Sequence, residues 1–272
     1  MSGVRAAGVA LFSGEHASVT LERCSGASTL QVAGSGGPIA EWSPVAAFRT
    51  TAIAHPSGAR LACVEHLFAA LAAFGAHENV SIVVTGSELP ILDGAAATWC
   101  ALLAEIGVGE TPSRLVVRRD GEVAIETTKY LFSSRKTAAE ISVEIDLAGA
   151  GPFAASLPKR ATWDGSRAEF VSLIAPARTF LAARDIAEFA ALGVSAHLPE
   201  ESFVVLGESG AVAKGAPFSA YEPARHKLLD LIGDFFLHGG PPIGRVDATR
   251  PGHAKNHRAI AIAISQGILA RI

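Results

Sequence analysis

The stretch CVEHLFAALAAFGA, residues 63–76, places apolar side chains on every side of a helical projection. A helix without a polar face has nothing to offer water, so it must lie between layers of other structure. Gly75 marks its C-terminal end. A second apolar helix over 224–237, in RHKLLDLIGDFF, differs in one respect: His226, Asp230 and Asp234 follow one another at i,i+4 steps. Residues so spaced stand above one another on one helix face. A solvated stripe with Arg225 and Lys227 as neighbours is one explanation; a functional site is the other.

Strand-like patterns surround these helices. ASVTLERC and STLQVAG alternate apolar and polar residues and lead into the turn-rich GSGGPIAEWSP; VSIVVTG is a strand, SELPILDG a loop, and AAATWCALLAEIG a helix ending at Gly107. The best candidate linker is GETPS, 109–113. Beyond it, RLVVRRDGEVAIETT reads as a hairpin turning at Asp120-Gly121, and AEISVEIDL as a strand. RAEFVSLIAPARTF and ARDIAEFAALG look helical, ESFVVLG is a strand, GRVDATRPGH runs from a strand into a loop, and 256–270 is a terminal helix. Each half therefore reads as strands, a buried helix with a histidine near its start, a strand and another helix. No sequence repeat accompanies this order, so a duplicated topology is an expectation from element order alone.

Composition excludes several functions. Of 272 residues 49% are hydrophobic and 18% charged, which describes a globular chain with a substantial core. A net charge of −3 without a basic run argues against nucleic acid or a membrane surface as partner. Cys24, Cys63 and Cys100 are widely spaced and contain no Cys-x-x-Cys pair, so neither a disulfide framework nor a thiolate zinc site is expected. A reducing, cytoplasmic location fits. MSGVRAAGVALFSGEH lacks an apolar signal core, and no segment reaches the roughly 18 to 20 apolar residues a membrane span needs.

The two buried helices offer chemistry. His66 from the first, with His226 and Asp230 from the second, make up a full set of protein ligands for a catalytic zinc, with a fourth position left for water. Iron(II) is also compatible with two histidines and one carboxylate. Glu65, directly before His66, is placed to take a proton from water without itself being a ligand. Satisfied core histidines are the bland alternative. His253 in RPGHAKNH is either a surface loop residue or a mobile-proton partner opposite Glu65. In PARTF, Thr179 is a candidate donor to a developing oxyanion, and Phe180 a ring to face a sugar.

VEHLFAALAAFGAHENVSIVVTGSELPILDGAAATW, ARTF, RHKLLDLIGD and GHAKN occur together and in this order. The combination resembles the UDP-3-O-acyl-N-acetylglucosamine deacetylase family, zinc enzymes of lipid A synthesis. The similarity runs, more loosely, from GVALFSGE to about residue 260. The resemblance implies an α+β fold of two similar domains, 1–110 and 113–272, each an antiparallel sheet with helices sandwiched between the sheets. It implies His66, His226 and Asp230 as zinc ligands, Glu65 as general base, and His253 as acid or positive electrostatic partner. Asp234 would orient and charge His253, Thr179 would polarise the amide oxygen, Phe180 would pack on substrate, and Lys227 would meet the nucleotide or sugar. A UDP-sugar with an acyl chain is the implied substrate, and a monomer the expected state.

Departures from the family pattern fall on substrate-facing loops. Phe12 stands where a histidine is usual, SAHLPEES (195–202) replaces a Gly-Gly-Ser loop, and GHAKNH introduces Lys255 and His257. Two alternatives therefore stand beside the deacetylase: a paralogue acting on another N-acyl amino sugar or sugar nucleotide, and a non-catalytic precursor-binding protein. Phe180, Leu181, Ile186, Phe189 and Leu192 are expected on one helix face as an acyl passage.

Overall fold

A computed structural model describes residues 3–134, 138–191 and 199–272. Two five-stranded sheets share one topology. In the first, the strand order is Val4–Val9, His16–Ala27, Glu78–Thr85, Thr29–Val32, Ser35–Pro38; in the second it is Gly121–Ile125, Thr128–Ser133, Gly244–Thr249, Ala139–Glu144, Arg160–Trp163. In both, the last strand in sequence takes the centre, antiparallel to the second strand and parallel to the third. A helix precedes each central strand (Glu65–Ala73 and Glu222–Phe236) and another follows it (Ala97–Ile106 and His253–Ser265). The duplicated order expected from the sequence is thus present, and the fold is α+β with two sheet-and-helix halves.

The two preceding helices pack against each other, and their apolar side chains merge with the inner faces of both sheets in one core. Every residue of Glu65–Ala73 except His66 is buried. In Glu222–Phe236 only Arg225 and Lys227 escape burial. His226, Asp230 and Asp234 are 4%, 3% and 0% exposed, which rules out the solvated-stripe explanation.

Gly233 sets how closely the two helices approach. A Cβ there would lie 2.1 Å from the Glu65 carbonyl oxygen and 3.1 Å from the Ala69 nitrogen, both main-chain atoms that cannot swing away. Gly233→Ala is expected to cost about 1–3 kcal/mol. Chemical denaturation checks this; unchanged stability would show that the crossing has slack.

Four sequence expectations need correction. The hairpin turns at Glu126 and Thr127, between Gly121–Ile125 and Thr128–Ser133, with Glu126 at φ 53°; Asp120 instead accepts hydrogen bonds from the Ser134 nitrogen and hydroxyl. Leu115–Val117 pairs with Leu269–Arg271, so the chain ends in a strand after a helix that closes at Ser265. That helix begins at His253, which places this residue at a helix N-terminus rather than in a loop. Finally, Phe180 and Leu181 lie on the strand Thr179–Ala182 while Ile186 and Phe189 lie on the helix Ile186–Ala191, so they do not share one helix face; Leu192 and the 195–198 part of the altered loop fall outside the described residues. The glycine stops hold: Gly75 and Gly107 follow their helices at φ 60° and 65°.

Candidate active site

The helix crossing brings the two halves' polar residues together. His66 Nε2 lies 3.7 Å from Asp230 Oδ1, and His226 Nε2 lies 3.6 Å from the same oxygen. Bonds of about 2.1 Å in tetrahedral array give ligand-to-ligand edges of roughly 3.4 Å, so these three atoms surround a space of ionic size. Ligand atoms of these residues all fall within 4.8 Å of one another.

The donor chemistry fits a cation. Asp230 Oδ1 is buried and has no hydrogen-bond partner, a costly state for a carboxylate oxygen unless something positive fills the gap. His226 donates from Nδ1 to the Ala177 carbonyl at 3.0 Å, which leaves the Nε2 lone pair facing Asp230. Burial pushes both imidazoles down, His66 to about 3 with help from His226, so both rings are neutral as ligands must be. Burial opposes ionisation of Asp230, yet Lys227 and the surrounding histidines hold its carboxyl well below the usual range. Lys227 Nζ donates to Asp230 Oδ2 at 2.6 Å, leaving Oδ1 open.

Glu65 opens the first central helix, where the helix dipole favours a carboxylate. It accepts from the Thr50 hydroxyl at 2.7 Å and the Thr51 nitrogen at 3.0 Å. Burial raises its pKa, and the negative charge on Asp230 adds to the rise. Across the site, His253 Nε2 stands 3.8 Å from Glu65 Oε1 and 3.7 Å from Asp230 Oδ2. Burial disfavours a charged ring, but Asp234, Asp230 and Glu65 outweigh it and raise the His253 pKa to about 9. A cation at a helix N-terminus opposes the dipole, so these carboxylates are what hold it.

Asp234 is the anchor of that arrangement. It accepts from Thr51 Oγ1 at 2.5 Å, Asn256 Nδ2 at 2.7 Å and His253 Nδ1 at 3.1 Å. Burial opposes its charge, but His253 and His257 together bring its pKa below the ordinary carboxylate value. Asn256 is itself fixed by the Tyr130 hydroxyl at 2.5 Å and the Gly252 nitrogen at 3.1 Å.

These groups open onto a cavity of about 630 Å³. Its lining adds the basic side chains of Lys227, Arg250 and Lys255 to apolar surface from Phe180, Leu181 and Phe189; Ile186 is not part of it. Thr179 also lines the cavity, and its hydroxyl donates to the Gly94 carbonyl at 3.0 Å. Phe180 sets its ring edge-on to His226, at 6.0 Å between centroids. All nine residues singled out from the sequence therefore border one cavity or, for Asp234, stand directly behind it. Sequence reasoning missed Thr50, Thr51, Tyr130, Asn256 and His238. Only Asn256 carried a local signal, one helical turn from His253; the others reach the site through tertiary contact.

Comparison with known proteins agrees with this geometry. The family model for LpxC, UDP-3-O-acyl N-acetylglycosamine deacetylase, matches residues 1–264. A UDP-3-O-acyl-N-acetylglucosamine deacetylase of Thermosynechococcus vestitus is 33% identical over 95% of this chain and 90% of its own length. The enzyme of that name from Myxococcus xanthus is 33% identical over 76% of this chain and 65% of its own length, and one from Shewanella sediminis is 31% identical over 79% and 70%. With a family model spanning nearly the whole chain and a relative aligned almost end to end, this chain belongs to the UDP-3-O-acyl-N-acetylglucosamine deacetylase family.

Proposed function

We propose that the chain is a zinc-dependent amide hydrolase that removes acetate from the 2-acetamido group of UDP-3-O-(3-hydroxyacyl)-N-acetylglucosamine, in lipid A synthesis. The observation that carries this reading is the convergence of His66, His226 and Asp230 around one unpartnered carboxylate oxygen, with Glu65 and His253 facing each other beside it. Bound by those three residues, a divalent cation supplies Lewis acidity, polarising a carbonyl and making water a stronger acid. Glu65, oriented by Thr50 and Thr51 and made more basic by burial, accepts the proton of the attacking water. His253, cationic through Asp234, donates a proton to the amine nitrogen as the carbon–nitrogen bond breaks. Thr179 turns its hydroxyl from the Gly94 carbonyl toward the developing oxyanion. Phe180 packs on the sugar, and Lys227 with Arg250 and Lys255 faces the diphosphate.

The units 1–110 and 113–272 act as two domains in this reading, supported by the repeated strand order. No helix among the described residues is long and apolar enough to cross a membrane. A cytoplasmic location is part of the same proposal, in keeping with free thiols at Cys24, Cys63 and Cys100, and so is a monomeric state.

The direct test is acetate release from the 3-O-hydroxyacyl substrate compared with UDP-N-acetylglucosamine. Each buried methylene contributes about 0.8 kcal/mol, so insertion of half a ten-carbon chain beside Phe180, Leu181 and Phe189 is expected to favour the ester by about a thousandfold or more in kcat/KM. Rates within about tenfold of each other, a difference of about 1.4 kcal/mol, would assign the chain to a different amino sugar.

Asp234→Asn tests the acid. His253 keeps its proton up to its raised pKa near 9, and Asp234 is the largest favourable contributor. Removing that charge lowers the pKa, so the basic limb of the kcat/KM profile should move to lower pH by about one unit or more. A basic limb that stays in place would take Asp234 out of this role.

A further inference from the structure

Behind the catalytic residues runs a chain of imidazoles to which the mechanism assigns no part. His257, one turn along the helix from His253, stands with Nδ1 3.0 Å from His238 Nε2. Its other nitrogen, Nε2, lies 3.2 Å from Thr51 Oγ1 and 3.4 Å from Asp234 Oδ1. Both rings are only 9% exposed.

Counting donors and acceptors orients the chain. Asp234 only accepts. Thr51 spends its hydroxyl hydrogen on Asp234 Oδ1 at 2.5 Å, so its oxygen meets His257 as an acceptor. Both partners of His257 Nε2 are therefore acceptors, and that nitrogen must carry the hydrogen. A neutral ring then presents a lone pair at Nδ1, and the hydrogen between the two rings must come from His238 Nε2. Burial lowers the pKa of both histidines, that of His238 to about 4, in keeping with two neutral rings.

We propose that His238 and His257 are positioning residues: His238 locks His257 in its Nε2–H tautomer, and His257 donates to the Thr51–Asp234 pair that orients His253. The functional consequence rests on the roles of Asp234 and His253 proposed above; the tautomer does not. Without His238, the His257 ring is free to place its hydrogen on Nδ1 and turn a lone pair toward Asp234. That would set two acceptors against each other and loosen the carboxylate.

The test has a spectroscopic arm and a kinetic arm, both on the full-length, zinc-loaded protein. Long-range ¹H–¹⁵N correlation of ¹⁵N-histidine protein near neutral pH should show His257 and His238 both neutral and protonated at Nε2, with His238→Phe shifting His257 toward a tautomer mixture. A predominantly Nδ1–H His257 in the parent protein overturns the proposal, whether or not the chain releases acetate. In turnover, His257→Leu should lower kcat about tenfold, the worth of one buried hydrogen bond, with KM within about twofold. His257→Gln, whose side-chain amide can donate to Thr51 from the place of Nε2, should recover most of that loss. Equal kcat in the leucine and glutamine variants, or parental kcat in the leucine variant, overturns the positioning role. Absence of acetate release from the parent would instead defeat the proposed function and leave the tautomer measurement to decide.

Discussion

Glu65→Gln is expected to leave metal content unchanged and to lower kcat by about 10²–10⁴-fold, the usual share of a general base. The carboxylate is held by Thr50 and Thr51 and is not one of the three groups whose ligand atoms cluster together. Glutamine keeps the shape and can still accept from the Thr51 nitrogen, so folding should survive. What it loses is the ability to take a proton. Metal analysis beside kcat separates the outcomes: if Glu65→Gln loses metal along with activity, Glu65 is a ligand and the base lies elsewhere.

His226→Ala should behave in the opposite way, losing the metal first and activity as a result. The variant removes one of the three proposed ligands, and it strands the Ala177 carbonyl that the ring now satisfies at 3.0 Å. An unsatisfied buried carbonyl costs about 1–3 kcal/mol, so a lower melting temperature should accompany the loss. Protein purified without added metal should contain well under one ion per chain, and acetate release should fall to background. Retention of a full equivalent of metal by His226→Ala would place the ion at some other cluster.

Much of this architecture was legible in the chain, for reasons particular residues make plain. The helix from Glu65 offers no polar face, and it is buried between layers as that implies. Glycines at 75 and 107 stop their helices because each takes a positive φ. By contrast, Asp120-Gly121 has the composition of a turn, but Gly121 serves close approach: a Cβ there would meet the Ile268 side chain at 2.5 Å. Local composition does not distinguish these two uses of glycine. Strand order was likewise invisible, since the central strands arrive last in sequence and pair parallel with the third.

The candidate site divides in the same way. Histidines and carboxylates on apolar helices stand out because burying them needs a reason, so His66, His226, Asp230 and Glu65 could be picked out from the chain as candidates. Their supports could not. Thr51 reaches Asp234 across 183 residues, and adjacent threonines in FRTTAIAH carry no periodic signal of that contact. His238 follows a helix end with no local signal of its partner, His257, whose ring lies 3.0 Å away.

Metal titration of chelated protein, followed by acetate release from UDP-3-O-(3-hydroxyacyl)-N-acetylglucosamine, tests the central claim most directly. The triad predicts no turnover in the chelated protein and activity that rises with added zinc to a plateau at one equivalent per chain. Full acetate release from protein verified to be metal-free would contradict it.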